Sequence, residues 1–427
     1  MTPTIPAGPE ARRLRFLFET KSGATPSSGV EEYWDGDINW VTPEDLGKLS
    51  DRYVRETRRR ITEEGYKNCG VSLAAPGSIV LSKRAPIGQT AVLAVPSTCN
   101  QGCFLLTKLS DIDERFYYYA LIHLRPALEA LGRGSTFMEL SADDLRSVPM
   151  PFPSQEHQSI IANYLDHEIA RIDGLIAEKE RMLALLEEKR AALISRVVTR
   201  GLDPGAPLKP SGQKWLGEIP MHWEIEPIKY LAVVGNGSTP SVENADYWDD
   251  EGYPWLNSSV VNVSPVMNAS RFVTEAALRE CHLPKIQPPA VLVGITGQGK
   301  TRGMASVLGV EATINQHLAF IKPRTQELDT DFLCYLLGHA YAFLRSDSDG
   351  AGSTKGAITC EKLANMKIPV PPQGEQIEIC ARIKLSLDDS EPLRSEIQSS
   401  LNLLTERRSA LITAAVTGQI PLEAMQT

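Results

Sequence analysis

The sequence predicts an α+β fold in which two mixed α/β domains form a tandem repeat and a long helix follows each of them. The two helices are expected to pack as an antiparallel coiled coil with pseudo-two-fold symmetry. Two observations predict this fold class: short motifs that recur in a fixed order, and two long segments whose apolar residues keep heptad spacing. The expected boundaries are a first mixed domain at 1–153, a central helix at 154–203, a second mixed domain at 204–372 and a C-terminal helix at 373–427.

The composition is that of a folded, globular chain. Of the 427 residues, 42% are hydrophobic and 23% are charged, which excludes a mostly disordered chain. No stretch approaches the ~20 consecutive apolar residues of a membrane-spanning helix. The N-terminus lacks a basic-then-apolar export signal and the seven cysteines form no framework, so we expect a protein of the reducing cytoplasm. The formal net charge of −9 argues mildly against nucleic acid as the partner, because phosphate binding needs local positive charge.

The chain repeats several short motifs in the same order. Gly-Ala-Thr-Pro at 23–26 returns as Gly-Ser-Thr-Pro at 237–240, and Tyr-Trp-Asp follows each of them, at 33–35 and 247–249. Because chance similarity does not preserve such an order, the sequence indicates a tandem duplication. The further matches are Trp40 with Trp255, 134–136 with 352–354, 148–151 with 368–371, and 192–195 with 410–413.

The first part of each repeat mixes strand and helix signals. Short β-branched runs at 78–81 and 290–293 lie between Gly and Pro residues and predict strands. Apolar segments at 116–131 and 332–344 predict helices. These alternating signals predict the mixed α/β character of both domains.

The central helix has recognisable ends. Ser154 is a candidate N-cap, because its hydroxyl can accept a hydrogen bond from an N–H of the first turn. Gly201 and Pro204 suit the C-terminal end. The segment from 155 to 199 would span roughly 65 Å at ~1.5 Å per residue. In the second helix, Pro392 is expected to bend or interrupt the helix near its first third.

Both helices carry an apolar seam in steps of four and three residues, the spacing of a coiled coil. A single helix of this length cannot bury such a seam alone, so its expected partner is the equivalent helix of the other repeat. If a pseudo-two-fold axis relates the repeats, the helices run antiparallel. They would then act as a ruler between two binding modules; the alternative is a spacer between two unrelated domains. The predicted seam residues are Leu165, Ile169, Ile172, Ile176, Leu183, Leu186, Leu193, Ile383, Leu387, Ile397, Leu401, Leu404 and Leu411.

Three groups of motifs carry a family resemblance. In the first domain, Gly-Ala-Thr-Pro is followed by Y-W-D-G-D-I-N-W-V-T at 33–42 and by Glu-Asp-Leu at 44–46. The linker into the second domain carries W-L-G-E-I-P-M-H-W at 215–223. Both helices follow a proline-containing stretch that ends in Glu or Gln, at 149–156 and 369–376, and both end in Ala-Leu-Ile and then Val-Thr. Together these segments, which cover nearly the whole chain, resemble the specificity subunits of Type I restriction-modification systems.

The resemblance implies a non-enzymatic subunit that recognises double-stranded DNA. Each mixed domain would be a target recognition domain that reads one half of a split, asymmetric site, while the helices separate the half-sites and dock two methyltransferase subunits. A restriction/translocase subunit would complete the complex. The resemblance implies no cofactor on this chain, with S-adenosylmethionine and ATP expected on the partner subunits. The chain departs from the family in lacking the linker motif before its first domain, where only Ile5 and Pro6 remain.

Local basic clusters offer candidate DNA contacts despite the acidic net charge. They comprise an arginine run at 52–60, cations after the strand run of each repeat, and the repeated Gly-Ser-Thr loops, whose small residues suit close approach to phosphate. The alternatives are a solvated helix face for the arginine run and plain turns for the loops. Tyr-Trp at 33–34 and 247–248 fits core or loop anchors better than base-stacking groups. The candidate DNA-contacting residues are Arg52, Arg55, Arg59, Lys83, Arg84, Arg133, Ser135, Thr136, Lys300, Arg302, Ser353, Thr354 and Lys355.

Two other functions are weighed against DNA recognition. The segment 294–301 matches the phosphate-binding pattern G-x-x-x-x-G-K-[ST], which requires a helix directly after its threonine. The residues that follow are glycine-broken and strand-like, and the aligned segment 82–88 of the first repeat keeps no such loop. A P-loop nucleotide-binding protein is therefore the first alternative, and a coiled-coil scaffold for two protein-binding modules is the second. The histidines and cysteines form no recognisable metal-binding spacing, and no catalytic residue is predicted.

Overall fold

The computed structural model of the protein describes residues 11–133, 138–297, 299–349 and 356–426. Ile5 and Pro6, the remnant of the linker motif, lie outside these ranges. None of the helices in the described ranges is long and apolar enough to cross a lipid bilayer.

The chain divides into two compact units. Unit 1 comprises 1–180 and 398–427, and unit 2 comprises 181–397. The division falls inside both long helices, so each unit contains one mixed domain, one part of the central helix and one part of the C-terminal helix. The long helices therefore belong to the packing of both units.

Unit 1 is built on a five-stranded sheet with the strand order β2-β9-β6-β7-β4. A three-stranded sheet, β5-β3-β8, and a two-stranded pair, β1-β10, accompany it. The strands are β1 Ala11–Arg13, β2 Phe18–Ser22, β3 Trp34–Val41, β4 Tyr53–Val54, β5 Arg60–Ile61, β6 Ile79–Ser82, β7 Thr90–Leu93, β8 Ser97–Cys99, β9 Cys103–Lys108 and β10 Pro149–Pro151. The helices are α1 Pro43–Leu46, α2 Glu63–Asn68, α3 Glu114–Leu131, α4 Ala142–Ser147 and the central helix α5 Gln155–Arg200.

Unit 2 repeats this architecture. Its four-stranded sheet, β14-β20-β17-β18, and its three-stranded sheet, β16-β15-β19, follow the order of the corresponding strands in unit 1. A parallel bridge between Val266 and Leu308 takes the place of β4. The strands are β11 Leu208–Pro210, β12 Glu218–Pro220, β13 Glu224–Pro227, β14 Ala232–Asn236, β15 Trp248–Leu256, β16 Arg271–Val273, β17 Ala290–Gly294, β18 Ala305–Leu308, β19 Thr313–Ile314, β20 Leu318–Pro323 and β21 Lys367–Val370. The helices are α6 Ile228–Leu231, α7 Glu275–Glu280, α8 Thr330–His339, α9 Tyr341–Asp349, α10 Cys360–Asn365 and the C-terminal helix α11 Gln373–Val416.

In each unit, one face of the larger sheet packs against a helix. In unit 1, α3 begins at the N-cap Asp113, whose side chain accepts the Arg115 N–H, and it buries Phe116 and Leu124 against the sheet. In unit 2, α8 begins at the N-cap Asp329 and has the same role. The predicted helices at 116–131 and 332–344 thus correspond to α3 and to α8 with α9.

The two long helices run antiparallel, as the sequence predicts. In unit 1, Nε of Arg408 on α11 lies 2.8 Å from Oδ1 of Asp173 on α5. In unit 2, Nε of Arg394 lies 3.2 Å from Oε1 of Glu187. The residue number falls along α11 as it rises along α5, which is the signature of an antiparallel pair.

The predicted seam coincides with the less exposed face of both helices. Ile172 on α5 and Ile397 on α11 are buried, and the residues between the seam positions are mostly exposed. Because only one face of each helix is covered, the seam periodicity follows the coiled-coil spacing. The buried seam residues are Leu165, Ile169, Ile172, Ile383 and Ile397, and the half-buried ones are Ile176, Leu183, Leu186, Leu193, Leu387, Leu401, Leu404 and Leu411.

The ends of α5 match the sequence signals, whereas Pro392 does not interrupt its helix. Ser154 Oγ accepts the His157 N–H over 3.3 Å, and Gly201 follows the helix with a φ of +73°. The predicted interruption at Pro392 is wrong, because α11 continues through this residue. Proline removes one hydrogen bond from the helix and its ring crowds the carbonyl four residues earlier, but the packed seam on both sides keeps the flanking turns helical.

The linker motif before the second domain anchors unit 2. Trp223 is fully buried, and its indole N–H donates to Oε2 of Glu375 on α11 over 3.0 Å. The strand register places Ala11 at the equivalent position in unit 1, because Arg13 pairs with Pro149 as Ile225 pairs with Pro369. Unit 1 therefore has a small side chain where unit 2 buries its linker tryptophan.

Candidate nucleic-acid interface

In unit 1, three loops meet at one end of the five-stranded sheet. The loop after β2 carries the Gly-Ala-Thr-Pro motif, an Asn-Gln turn joins β8 to β9, and a third loop joins β6 to β7. The Gly23 N–H donates to the Cys103 carbonyl over 3.1 Å, and the Lys83 N–H donates to the Gly102 carbonyl over 2.8 Å. A Cβ atom at Gly23 would lie 2.2 Å from backbone oxygens, so only glycine lets the first two loops approach this closely.

A threonine–glutamine pair joins two of these loops. The hydroxyl of Thr25 donates to Oε1 of Gln101. In unit 2, the hydroxyl of Thr239 donates to Oε1 of Gln316 over 2.5 Å. These four side chains were absent from the predicted contacts. The signal that could have identified them is the Asn-Gln dipeptide at 100–101 and 315–316, which recurs together with the Gly-x-Thr-Pro motif.

The repeated tryptophans hold the loop that carries this threonine. The indole N–H of Trp34 donates to the Ser27 carbonyl over 3.2 Å, and that of Trp40 donates to the Ala24 carbonyl over 2.9 Å. Trp248 and Trp255 make the equivalent bonds in unit 2, over 3.0 and 3.1 Å. The two rings of each pair meet edge to face. The tryptophans are therefore loop anchors, as favoured from the sequence, and the loop is held in place before any ligand arrives.

The structure brings three of the predicted cations of unit 1 to these loops. Nζ of Lys83 lies 2.9 Å from Oε1 of Glu139, and Nε of Arg84 lies 3.0 Å from Oε2. Arg133 pairs with Glu139 through the backbone, and its guanidinium contacts Asp144 over 3.2 Å. The hydrogen bond from Lys83, reinforced by Arg84, lowers the pKa of the Glu139 carboxyl below its ordinary value. The carboxylate thus stays ionised and orients both cations.

In unit 2, Lys300 and Arg302 lie in the loop between β17 and β18, which corresponds to the loop of Lys83 and Arg84. Lys300 is exposed, and its carbonyl accepts the Tyr341 hydroxyl over 2.9 Å. Arg302 is buried. The backbone bridge between Thr296 and Ala357 repeats the bridge between Arg84 and Glu139, so Thr296 is the residue that occupies the place of Arg84.

The three predicted contacts from the arginine run make separate contacts, and only Arg59 packs against a tryptophan that holds one of these loops. Arg52 forms an ion pair with Asp166 on α5 and contacts the Tyr119 hydroxyl over 3.2 Å. The guanidinium of Arg55 lies 2.8 Å from Asp51. The guanidinium carbon of Arg59 stacks 3.6 Å from the Trp34 ring centroid.

The helix-face interpretation of the arginine run is wrong. Residues 52–60 contain the short strand β4, a non-helical segment and the first residue of β5. Arg59 also has a counterpart in the second repeat, because Arg271 stacks 3.8 Å from the Trp248 ring centroid. The run therefore combines separate packing roles and does not form one basic face.

Five predicted contacts belong to the Gly-Ser-Thr loops. These loops lie outside the described residues, so their DNA contacts stay predictions. The residues are Ser135, Thr136, Ser353, Thr354 and Lys355.

The segment that matches the phosphate-binding pattern does not have the required architecture. Thr301 is followed by a turn and then by β18, whereas a phosphate-binding loop leads directly into a helix. The Gly303 N–H donates to the Gly294 carbonyl over 2.7 Å, which closes the segment as a connection between antiparallel strands. The structure therefore does not favour the P-loop alternative.

The fold and the repeated loops define a protein with two related mixed α/β modules and an antiparallel helix pair. The family model for the Type I restriction modification DNA specificity domain matches residues 6–181 and 220–398. The chain therefore belongs to this family, and the predicted family resemblance is confirmed.

Individual relatives agree with this assignment. The chain is 26% identical over 430 residues to the Type I restriction enzyme MjaIX specificity subunit of Methanocaldococcus jannaschii, covering 98% of this chain and 95% of the relative. It is 20% identical over 425 residues to the MjaVIII specificity subunit of the same organism, covering 97% and 94%. A solved chain from work on the assembly and conformational transition of the type I R-M system has a TM-score of 0.71 at 17% identity, covering 96% of this chain and 98% of that chain. This last similarity supports the fold.

Proposed function

We propose that this chain is the DNA-specificity subunit of a Type I restriction-modification complex and that each unit reads one half of a split, asymmetric site. The observation that carries the proposal is the same three-loop arrangement in both units, with a retained threonine–glutamine pair and different residues around it. Two related modules with different surroundings suit the recognition of two different short sequences. Few direct contacts are needed for this, which is compatible with the acidic net charge if partner subunits neutralise most of the phosphates.

The long helices offer two equivalent docking surfaces for methyltransferase subunits. Leu175 on α5 and Leu393 on α11 occupy the same position in the repeat and are 40% and 44% exposed. Leu185 and Leu403 form a second such pair and are 54% and 65% exposed. Exposed apolar residues that recur at matched positions suit a protein partner that binds twice.

The remaining chemistry is assigned to the partner subunits. We propose that two methyltransferase subunits bind S-adenosylmethionine and transfer the methyl group, and that a restriction/translocase subunit uses ATP. The chain itself would supply recognition and spacing only.

Methylome sequencing tests the proposed function. A host that expresses this chain with its neighbouring methyltransferase should show a split, asymmetric methylated motif, and deletion of this chain alone should remove it. An unchanged methylome would contradict DNA specificity and would favour the scaffold alternative, for which salt-insensitive protein binding without DNA retention is the diagnostic result.

The docking surfaces have a separate test. Substitution of Leu175 and Leu403, which both belong to unit 1, by Asp should reduce the number of bound methyltransferase subunits from two to one. Substitution of all four leucines should reduce it to none. Met267→Asp, an exposed apolar position outside the helices, is the matched control. Two bound subunits on the fourfold variant, measured by light scattering, would refute the docking assignment.

A further inference from the structure

The loops of the two units differ at three positions that surround the same threonine–glutamine pair. The first is Gly102 in unit 1 and His317 in unit 2, because their carbonyls accept the equivalent N–H groups of Lys83 and Ile295 over 2.8 and 2.9 Å. Both residues directly follow the glutamine of the pair. The position therefore carries no side chain in unit 1 and an imidazole in unit 2.

The other two positions face each other across a backbone bridge. Arg84 bridges Glu139 in unit 1, and Thr296 bridges Ala357 in unit 2. Unit 1 thus has a charged pair at these two positions, where unit 2 has a hydroxyl group and a methyl group. Gly102, Arg84 and their unit 2 equivalents lie in the loops that meet the Thr–Gln pair, and the third position is bridged to the second, so all three share one surface in each unit.

In unit 1 this surface is charged. Glu139 holds the guanidinium of Arg84 over 3.0 Å and the ammonium of Lys83 over 2.9 Å. The Arg84 side chain is 48% exposed, so part of its guanidinium group faces solvent. A guanidinium held in this way suits the acceptor atoms of guanine in the major groove.

In unit 2 the same surface carries a chain of neutral hydrogen bonds. The Thr239 hydroxyl donates to Gln316 Oε1 over 2.5 Å. Gln316 Nε2, which can only donate, lies 3.4 Å from His317 Nε2. His317 Nδ1 lies 2.6 Å from the Thr296 hydroxyl. One neutral imidazole tautomer satisfies both of its contacts, so Thr296 and Gln316 are held with hydrogen-bonding capacity left for a ligand.

We infer that the three differing positions select the bases of each half-site, whereas the retained Thr–Gln pair positions the DNA in the same way in both units. The inference rests on the proposed function and assigns its specificity to named residues. Two modules that read different sequences must differ where they contact base edges, while contacts to the backbone can be shared. The selecting residues are Arg84, Gly102 and Glu139 in unit 1 and Thr296, His317 and Ala357 in unit 2.

The decisive experiment transplants the unit 1 residues into unit 2 of the complete complex. The variant T296R/H317G/A357E should change the base preference of the second half-site, while the first half-site and the spacing stay as in the wild type. Methylome sequencing reports the first half-site, the second half-site and their spacing in one experiment. Gln326→Arg is the control for the added arginine, because it places a guanidinium on an exposed turn at the opposite end of β20, and it should leave both half-sites unchanged.

The Thr–Gln pair is tested by Gln316→Ala and Gln101→Ala. Each should weaken binding of a duplex that contains the wild-type site roughly tenfold, the effect of one hydrogen bond to a charged group, without changing the bases that are read. A change in base preference would overturn the positioning role.

The outcomes separate the inference from the proposed function. If the wild-type complex methylates no split motif, the proposed function fails. If the wild-type complex methylates a split motif but the variant T296R/H317G/A357E still reads the same second half-site, the inference fails. If the triple variant loses both half-sites, the single variants Thr296→Arg and His317→Gly decide: an altered second half-site in either supports the inference, and unchanged half-sites in both overturn it.

Discussion

At the scale of single residues, Arg52 and Arg55 belong to one basic run but have different surroundings. The Arg52 side chain is 17% exposed and pairs with Asp166, whereas the pair of Arg55 with Asp51 is solvent-exposed. We expect Arg52→Ala to lower the free energy of unfolding of unit 1 by about 2 kcal/mol. This is below the ~3–5 kcal/mol for removing one partner of a fully buried pair, because some solvent still reaches both groups. Hydrogen exchange in unit 1 measures the loss.

Arg55→Ala is the control for this prediction, with an expected loss below ~1 kcal/mol. Neither substitution should change the bases that the complex methylates, because both side chains lie away from the three loops. Equal losses for the two variants would contradict the packing role of Arg52.

The carboxyl group of Asp113 makes the stability of unit 1 depend on pH. Burial alone would raise its pKa, but hydrogen bonds and charge attraction from Arg115, with a hydrogen bond from Ser159, lower it below its ordinary value. A lowered folded-state pKa stabilises the fold fully above the unfolded pKa, and this contribution is lost as the pH falls through the folded pKa. The stability advantage of the wild type over Asp113→Asn should therefore shrink below about pH 4. Urea unfolding of both proteins between pH 6 and 3 measures it, and a constant advantage would argue against the ionic contribution.

The sequence predicted the kinds of residue at the interface better than their contacts. Lys83, Arg84 and Arg133 were predicted as candidates, and the structure brings them to one end of the sheet. The pair of Thr25 and Gln101 was missed because its members lie 76 positions apart and belong to no basic cluster. Arg52 was placed among the DNA contacts because local composition cannot distinguish an exposed cation from one that packs against a distant helix.

At the scale of elements, Trp223 fixes the linker of unit 2 to the start of α11. Its indole is fully buried and meets Phe332 edge to face. We expect Trp223→Ala to lower the free energy of unfolding of unit 2 by about 3–5 kcal/mol, the usual cost of removing a large buried aromatic side chain. Trp215→Ala is the control, because this half-buried ring stacks on Phe343 and should cost less. Hydrogen exchange in α11 measures the loss of stability in both variants. Equal protection in the two variants would contradict the anchoring role of Trp223.

Unit 1 has a different side chain at the position of the linker tryptophan. Ala11 occupies the equivalent place and borders a cavity of about 490 Å³, which His157 and Gly418 also line. The C-terminal segment instead buries Met425 in the apolar core of unit 1. Ala11 therefore makes no contact in unit 1 that corresponds to the hydrogen bond of Trp223 with Glu375 in unit 2.

Helix signals were predictable where they are local. Ser154 and Gly201 were correctly expected to flank α5, because an N-cap and a residue with positive φ depend on immediate neighbours. The effect of Pro392 was not predictable in this way. Its local cost of about 3 kcal/mol is offset by the packing of the seam along α11, which a reading of neighbouring residues does not capture.

At the scale of the whole molecule, the tandem duplication made the architecture predictable. Motifs that recur in order specify two similar sheets, and a heptad seam on each helix calls for a partner helix. The difference between the units was harder to derive, because Arg84 and Thr296 become equivalent only through strand register and backbone bridges. The residues to which we assign specificity thus lie where the repeat has diverged, and alignment of motifs alone does not locate them.

If the helix pair sets the spacing of the half-sites, we expect a new spacing with retained methylation only when both helices are shortened together. Deletion of 177–183 from α5 and of 396–402 from α11 removes one heptad from each helix between the ion pairs Asp173–Arg408 and Glu187–Arg394. The seam keeps its phase, and each helix shortens by about 10 Å. We expect the gap in the methylated motif to shorten by about three base pairs, at ~3.4 Å each, with both half-sites intact. Deletion of 177–183 alone should abolish methylation, because the apolar seam of α11 then lacks partner residues over one heptad and the helix pair cannot stay in register. An unchanged gap in the doubly shortened protein would mean that the helices do not determine the spacing.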